Sequence, residues 1–325
     1  MIEKHILRGD KYSLNPIRFP WAVSMTEHGR KNNWGPQEIQ MGRDKACFEQ
    51  ELSPAERFMF LHVFGTLTTS DQAVAENLLD NVGRLLHAAE LRGFVTRQAE
   101  EEGIHSLSYQ HVLEVLALDK EEIEGLYLRV PEIKQWFDWA QSIGLANDIT
   151  IPLMFFYGFF EGVFFPTAFA AIYSLQRRRL MTGTGEQIQY IHRDEQTHLG
   201  FGIRLVKEIF TELGSQPDQN TVHQLFDTSM KRLDIWADYC IPDLLGYNAN
   251  LHKQHARYLA DKRLKALGYE PRWNAESVLP WLDEQASIKK EKNFFETRVT
   301  EYQSGSGLSF DGAGSMDDIT NWRTA

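Results

Sequence analysis

Apolar residues recur every three or four positions along three stretches of this chain, and each stretch carries acids or histidines where apolar residues belong. Phe60, Phe64, Leu67, Asp71, Val74 and Leu78 form the first seam. Val95, Gln98, Glu102, His105, Tyr109, Val112 and Leu116 form the second, and Ile188, Ile191, Glu195, His198, Gly202, Leu205 and Ile209 the third. This rhythm is that of a helix face turned to a core. A fourth stretch, residues 151 to about 178, is apolar on every side and holds one charge as far as Leu175, Glu161. It reads as a helix buried all round.

The first helix is expected to start at Ser53-Pro54, a capping residue followed by proline at the first helical position. The second runs from about 87 to 118. Residues 118–144 read as two shorter helices split near Pro131, with Trp136, Phe137 and Trp139 as packing aromatics. Gly183 to Gly185 read as a turn before the helix of the third seam, which ends near Leu213. Helices near 220–240 and 249–267 complete an all-α bundle. Pro16, Pro20 and Pro36 break residues 1 to about 50 into an irregular arm with short helices. From residue 303 the composition shifts to Gly, Ser and Asp with a few apolar residues, so 1–302 reads as the domain and 303–325 as a flexible tail.

The polar breaks in the seams repeat one pattern, Glu102-Gly-Ile-His105 and Glu195-Gln-Thr-His198. Residues three apart project from one side of a helix, so each pair offers a carboxylate and an imidazole to one point. Asp71 and Glu161 add a carboxylate each from two further helices. An ionised carboxylate costs several kcal/mol or more to bury alone, so cations are expected beside them. Four carboxylates balance two divalent ions. Oxygen-rich ligands with one imidazole per ion suit iron or manganese better than zinc. A carboxylate from each of two helices and Glu-x-x-His from two others is the ferritin-like di-metal arrangement. Glu76, Glu100, Glu101 and His111 lie off the seams and read as solvated or surface residues.

Composition narrows the choice of function. With 325 residues and 42% hydrophobic content, the chain can bury a large core. A net charge of −11, with the basic residues spread out, argues against nucleic acid as the principal partner. Cys47 and Cys240 make neither a disulfide framework nor a Cys-x-x-Cys site, and a reducing, cytoplasmic setting is expected. The first ten residues carry charge where a signal peptide needs an apolar core. Glu161 and Pro166 interrupt the one segment that could pass for a membrane span, so no membrane is expected. There is no Gly-rich phosphate loop.

In its six ligand positions and their order the chain resembles the small, radical-generating subunit of class I ribonucleotide reductase, over nearly its whole length. Asp71 lies 31 residues before Glu102 and Glu161 lies 34 before Glu195, spacings typical of that family. The resemblance implies a ferritin-like bundle with a dinuclear centre, two iron ions in the first instance, with manganese–iron and di-manganese members using closely similar ligands. Tyr109, which on the residues alone is a core tyrosine hydrogen-bonded to a ligand, matches the family's radical tyrosine. Phe165, Phe169 and Ile191 match the apolar pocket around it. Trp34, by itself a packing anchor, matches a tryptophan that Asp194 links to the ligand His105. Tyr302 resembles the tail tyrosine that passes the radical on. The segment 317–322, ending in Trp322, resembles the anchor that docks on the large catalytic subunit. The resemblance also implies a homodimer. Two other uses of the same ligands remain open here. Iron storage needs the six ligands but not Trp34, Asp194 or the tail. A stand-alone di-metal oxidase wants an open cavity where Phe165 and Phe169 fall.

Overall fold

The computed structural model describes residues 5–143 and 149–282. Among these residues every regular element is helical, as the seams predict. The arm contains helix α1 (Pro20–Lys31) and three single turns, the last of them the π-helical Cys47–Glu51. Helix α2 (Pro54–Asn77) starts as expected: Ser53 Oγ accepts the Glu56 amide at 3.3 Å, and Glu56 Oε2 accepts the Ser53 amide at 2.7 Å. Helix α3 (Ala89–Leu116) stops where Ala117 turns left-handed, at φ 55°.

The segment that follows holds three helices rather than two. Pro131 opens α4 (Pro131–Ile143) as expected, and Gly125 divides the remainder into Lys120–Glu124 and Leu126–Arg129. Helix α5 spans Thr150–Gln176 and is apolar and long enough to cross a membrane, yet its most apolar stretch is wholly buried inside the protein. It is not one regular helix. Between an α-helical start and the α-helical Phe165–Gln176 lies an 11-residue π-helix, Met154–Phe164, with Glu161 in it. Runs of π-helix are rare and concentrate at functional sites. Helices α6 (Thr182–Leu213), α7 (Gln219–Cys240) and α8 (Ala249–Leu267) complete the bundle.

The turn expected at Gly183 to Gly185 is corrected: both glycines lie in the first turn of α6. Their role is close packing. A Cβ at Gly183 would lie 2.8 Å from the Gln40 carbonyl, and one at Gly185 2.5 Å from the Gln176 side chain.

Helices α2 and α3 pack as one pair and α5 and α6 as another, with α1 laid over α3 and α6. Helices α7 and α8 cover the π-helical segment from outside. Phe60, Phe64, Phe159, Phe164, Phe165 and Phe169 are fully buried between these layers. Each such ring contributes about 1.5–3 kcal/mol on leaving water. The closest approach is between α5 and α6, where the Tyr157 ring occupies the space a side chain at Gly202 would need. A Cβ there would fall 1.8 Å from Tyr157 Cγ. Gly202→Ala should therefore destabilise the fold by at least about 1–3 kcal/mol. Urea unfolding followed by circular dichroism measures this, and a wild-type midpoint would show that Tyr157 can move aside freely.

Candidate metal centre

Two groups of side chains converge in the middle of the bundle. Asp71 from α2, Glu102 and His105 from α3 and Glu195 from α6 each bring one ligand atom within 4.8 Å of the others. Glu102, Glu161 from α5, Glu195 and His198 do the same. All six expected ligands are thus together, and all are buried. Glu102 and Glu195 belong to both groups.

The oxygens divide accordingly. His105 Nδ1 stands 3.1 Å from Glu195 Oε1, 3.3 Å from Asp71 Oδ1 and 3.4 Å from Glu102 Oε2. His198 Nδ1 stands 3.0 Å from Glu195 Oε2, 3.2 Å from Glu102 Oε1 and 3.8 Å from Glu161 Oε2. Each shared glutamate therefore gives one oxygen to either side, the disposition of a bridging carboxylate. Six buried atoms facing this space have no hydrogen-bond partner: both Asp71 oxygens, Glu102 Oε2, Glu161 Oε2, Glu195 Oε1 and His105 Nδ1. Buried polar atoms are nearly always satisfied. Orphaned acceptors converging from four helices fit two cations, and the donor set fits them chemically.

What holds the imidazoles is also in place. His105 Nε2 lies 3.4 Å from Asp194 Oδ2, and His198 Nε2 lies 2.9 Å from Glu101 Oε2. A proton held on each Nε2 leaves Nδ1 free to ligate. Each motif's preceding acid serves the other motif's histidine. Both acids are held by arginines tied to the end of α1. Arg97 Nε donates to Glu101 Oε1 at 2.9 Å, while its other nitrogens reach the Gly29 carbonyl and Asn33 Oδ1. Arg193 donates to Asp194 Oδ1 at 3.0 Å and to the Asn32 carbonyl at 2.7 Å. Trp34 Nε1 donates to Asp194 Oδ2 at 2.7 Å.

A family profile described as ribonucleotide reductase, small chain, matches residues 11–280. The ribonucleoside-diphosphate reductase subunit beta of Chlamydia pneumoniae is 34% identical over 321 residues, covering 93% of this chain and 92% of that protein. The ribonucleoside-diphosphate reductase small chain of Nicotiana tabacum is 30% identical over 303 residues, covering 92% and 91%. A solved ribonucleotide reductase R2 subunit from Clostridium botulinum superposes with a TM-score of 0.80 at 25% identity, covering 87% of this chain and 94% of that one. This chain belongs to the ribonucleotide reductase small-chain family.

Within this small chain one expectation needs amending. Glu101, read as solvated, is 2% exposed and is the partner of His198. The signal was available: both motifs are preceded by an acid, and Arg97 stands four residues before Glu101 on the same helix face. Glu100 and Glu76 are exposed as expected. At Tyr109 the ring of Phe64 packs edge-on at 5.2 Å. Tyr302 and Trp322 lie outside the described residues.

Burial pushes the Asp71 carboxyl up to about 8, with the charges of Glu102 and Glu195 adding to the rise against His105. Burial and the Glu195 charge likewise hold Glu161 well above its usual range. Burial works upward on Glu195 too, but Glu161 and the two histidines overcome it and hold Glu195 well below. On His105 and His198 burial works downward and is overcome by the surrounding carboxylates, so both imidazoles sit well above their ordinary value. At neutral pH and without cations Asp71 therefore carries a proton, and Glu161 and both imidazoles are biased toward their protonated forms, so ligation must displace protons. Loading with Mn(II) at pH 7 should release protons, and apparent affinity should rise as pH rises through Asp71's value of about 8. Calorimetric titration in buffers of different ionisation enthalpy counts these protons; a count of zero would contradict the assignment.

Proposed function

We propose that this chain is the radical-generating subunit of a class I ribonucleoside-diphosphate reductase, a cytoplasmic homodimer that serves a large catalytic subunit. Asp71, Glu102, His105, Glu161, Glu195 and His198 are the ligands of a dinuclear centre, two iron ions in the first instance, with manganese–iron or two manganese ions as the alternatives. When bound, that centre supplies one oxidising equivalent.

Tyr109 is the residue proposed to store it. Its hydroxyl is buried without a hydrogen-bond partner and its ring packs on Phe64, which keeps water from a stored radical. Burial, then Asp71 beside it, holds the phenol well above its ordinary value, so the proton stays until the electron is removed, and the ionised Asp71 carboxylate is the neighbour that takes it. Tyr157, the other buried tyrosine near the ligands, donates to the neutral Gln98 amide at 3.0 Å, a poor acceptor for a full proton.

The observation that carries this reading is the line from Trp34 through Asp194 to His105. One oxygen, Asp194 Oδ2, meets the indole N–H at 2.7 Å and the ligand imidazole at 3.4 Å. Iron storage has no use for an oxidisable aromatic joined to a ligand. A stand-alone oxidase needs room for a substrate where Phe165 and Phe169 are fully buried. From Trp34 the proposed route continues to Tyr302 and into the large subunit. Residues 303–325, which follow the domain formed by 1–302, are the proposed tail that docks on the large subunit through Trp322.

Tyr109→Phe conserves volume, so the variant should fold and load metal normally. It should show no tyrosyl signal by electron paramagnetic resonance and no turnover with the large subunit. Trp34→Phe should keep the signal and still fail to turn over, because the equivalent forms but does not leave. Full activity of Tyr109→Phe would move the oxidant to the metals and favour the manganese-containing alternatives.

Deleting residues 304–325 should leave metal content unchanged while abolishing binding to the large subunit in a pull-down, since a few apolar anchors carry such docking. Wild-type reductase activity from the truncated chain would remove the tail from the account.

A further inference from the structure

Glu161 differs from the other ligands in how its two oxygens are used. Oε2 faces the His198 side and has no hydrogen-bond partner. Oε1 is turned away and accepts from Gln98 Nε2 at 3.0 Å. The same nitrogen lies 3.4 Å from Glu102 Oε1. Metal-bound carboxylates only accept, so the NH2 end of the Gln98 amide must face Glu161 and Glu102. That leaves Gln98 Oε1 pointing outward, where the Tyr157 hydroxyl donates to it at 3.0 Å. Were the amide to flip, its NH2 would meet a hydroxyl that could accept, but its oxygen would face two carboxylates.

The Tyr157 ring is itself fixed. It fills the space left by the missing side chain of Gly202, and Phe156 and Phe201 flank it edge-on at 5.0 and 6.1 Å. Tyr157 and Glu161 both belong to the π-helical segment Met154–Phe164. One segment of α5 therefore grips the Gln98 amide from α3 at both ends.

We propose that Tyr157 and Gln98 are positioning residues that hold Glu161 Oε2 toward the His198-side metal. The proposal rests on the dinuclear reading above. With Tyr157 in place, Gln98 donates to Glu161 Oε1 and keeps Oε2 turned to the His198 side. Without the hydroxyl the outer end of the amide loses its anchor, the donor to Glu161 Oε1 is no longer held in place, and the site with His198 is affected. The site with His105 does not include Glu161 and is affected far less.

The test is Mn(II) titration against a competing chelator, with paramagnetic resonance of the loaded protein, on wild type, Tyr157→Phe and Gln98→Leu. Circular dichroism confirms that each variant folds; Tyr157→Phe keeps the ring against Gly202. Wild type should take two ions. Both variants should keep one ion at wild-type affinity and bind the second roughly 10- to 100-fold more weakly, the usual cost of losing a ligand's hydrogen-bond partner. At one ion per chain the spin-coupled spectrum of the wild type's pair should be absent and a mononuclear Mn(II) signal present. Wild-type affinities and spectrum in Tyr157→Phe would overturn the proposal, as would equal weakening of both sites, which would signal general loosening. Fewer than two ions in the wild type would instead sink the dinuclear reading beneath it.

Discussion

Four carboxylates and two imidazoles share one dry space among α2, α3, α5 and α6, and the surrounding architecture answers to that concentration of charge. A single unpaired ion in such a place costs several kcal/mol or more. Here the charges face one another across about 3–4 Å, with six donor atoms unsatisfied by hydrogen bonds. Protons can balance the cluster, as the raised values of Asp71 and Glu161 indicate, but two divalent cations satisfy the oxygens and the nitrogens at once.

Around this centre, the end of α1 acts as a common anchor. Arg97 and Arg193 take hold of carbonyls and an amide between Gly29 and Asn33, and each presents its guanidinium to the acid behind a ligand histidine. Gly29 allows this approach, since a Cβ there would meet Glu101 Oε1 at 2.9 Å. The two sides differ in one respect that matters for function. Asp194 also carries Trp34, whereas among the described residues Glu101 carries the arginine and the histidine. Among the described residues an aromatic is tied to the acid behind a ligand histidine on the His105 side, which gives the proposed radical route a direction.

Much of this was legible in the chain because helical period fixes direction: the three seams pick out Asp71, Glu102, His105, Glu195 and His198, and all five point inward. Glu161 stood out by being the one charge in a fully apolar helix. Glu101 was misread because a single stripe was taken as the whole buried face of α3. That helix packs on α1, α2 and α6 at once, so its buried surface is wider than one seam. The π-helical segment left no trace in hydropathy, since a helix buried on every side has no polar face whose spacing could change. Gly202 and Gln98 were visible as inward residues. Their tasks depend on Tyr157, whose position no pattern along the chain reveals.

The central claim is that the two shared glutamates, Glu102 and Glu195, join two cation sites in one cluster. Crystals of the protein loaded with iron and manganese, measured at both absorption edges, test it directly. The account predicts two anomalous peaks per chain, one beside His105 Nδ1 and one beside His198 Nδ1, with Glu102 and Glu195 reaching both. A single peak, or peaks that leave either glutamate on one side only, would contradict it.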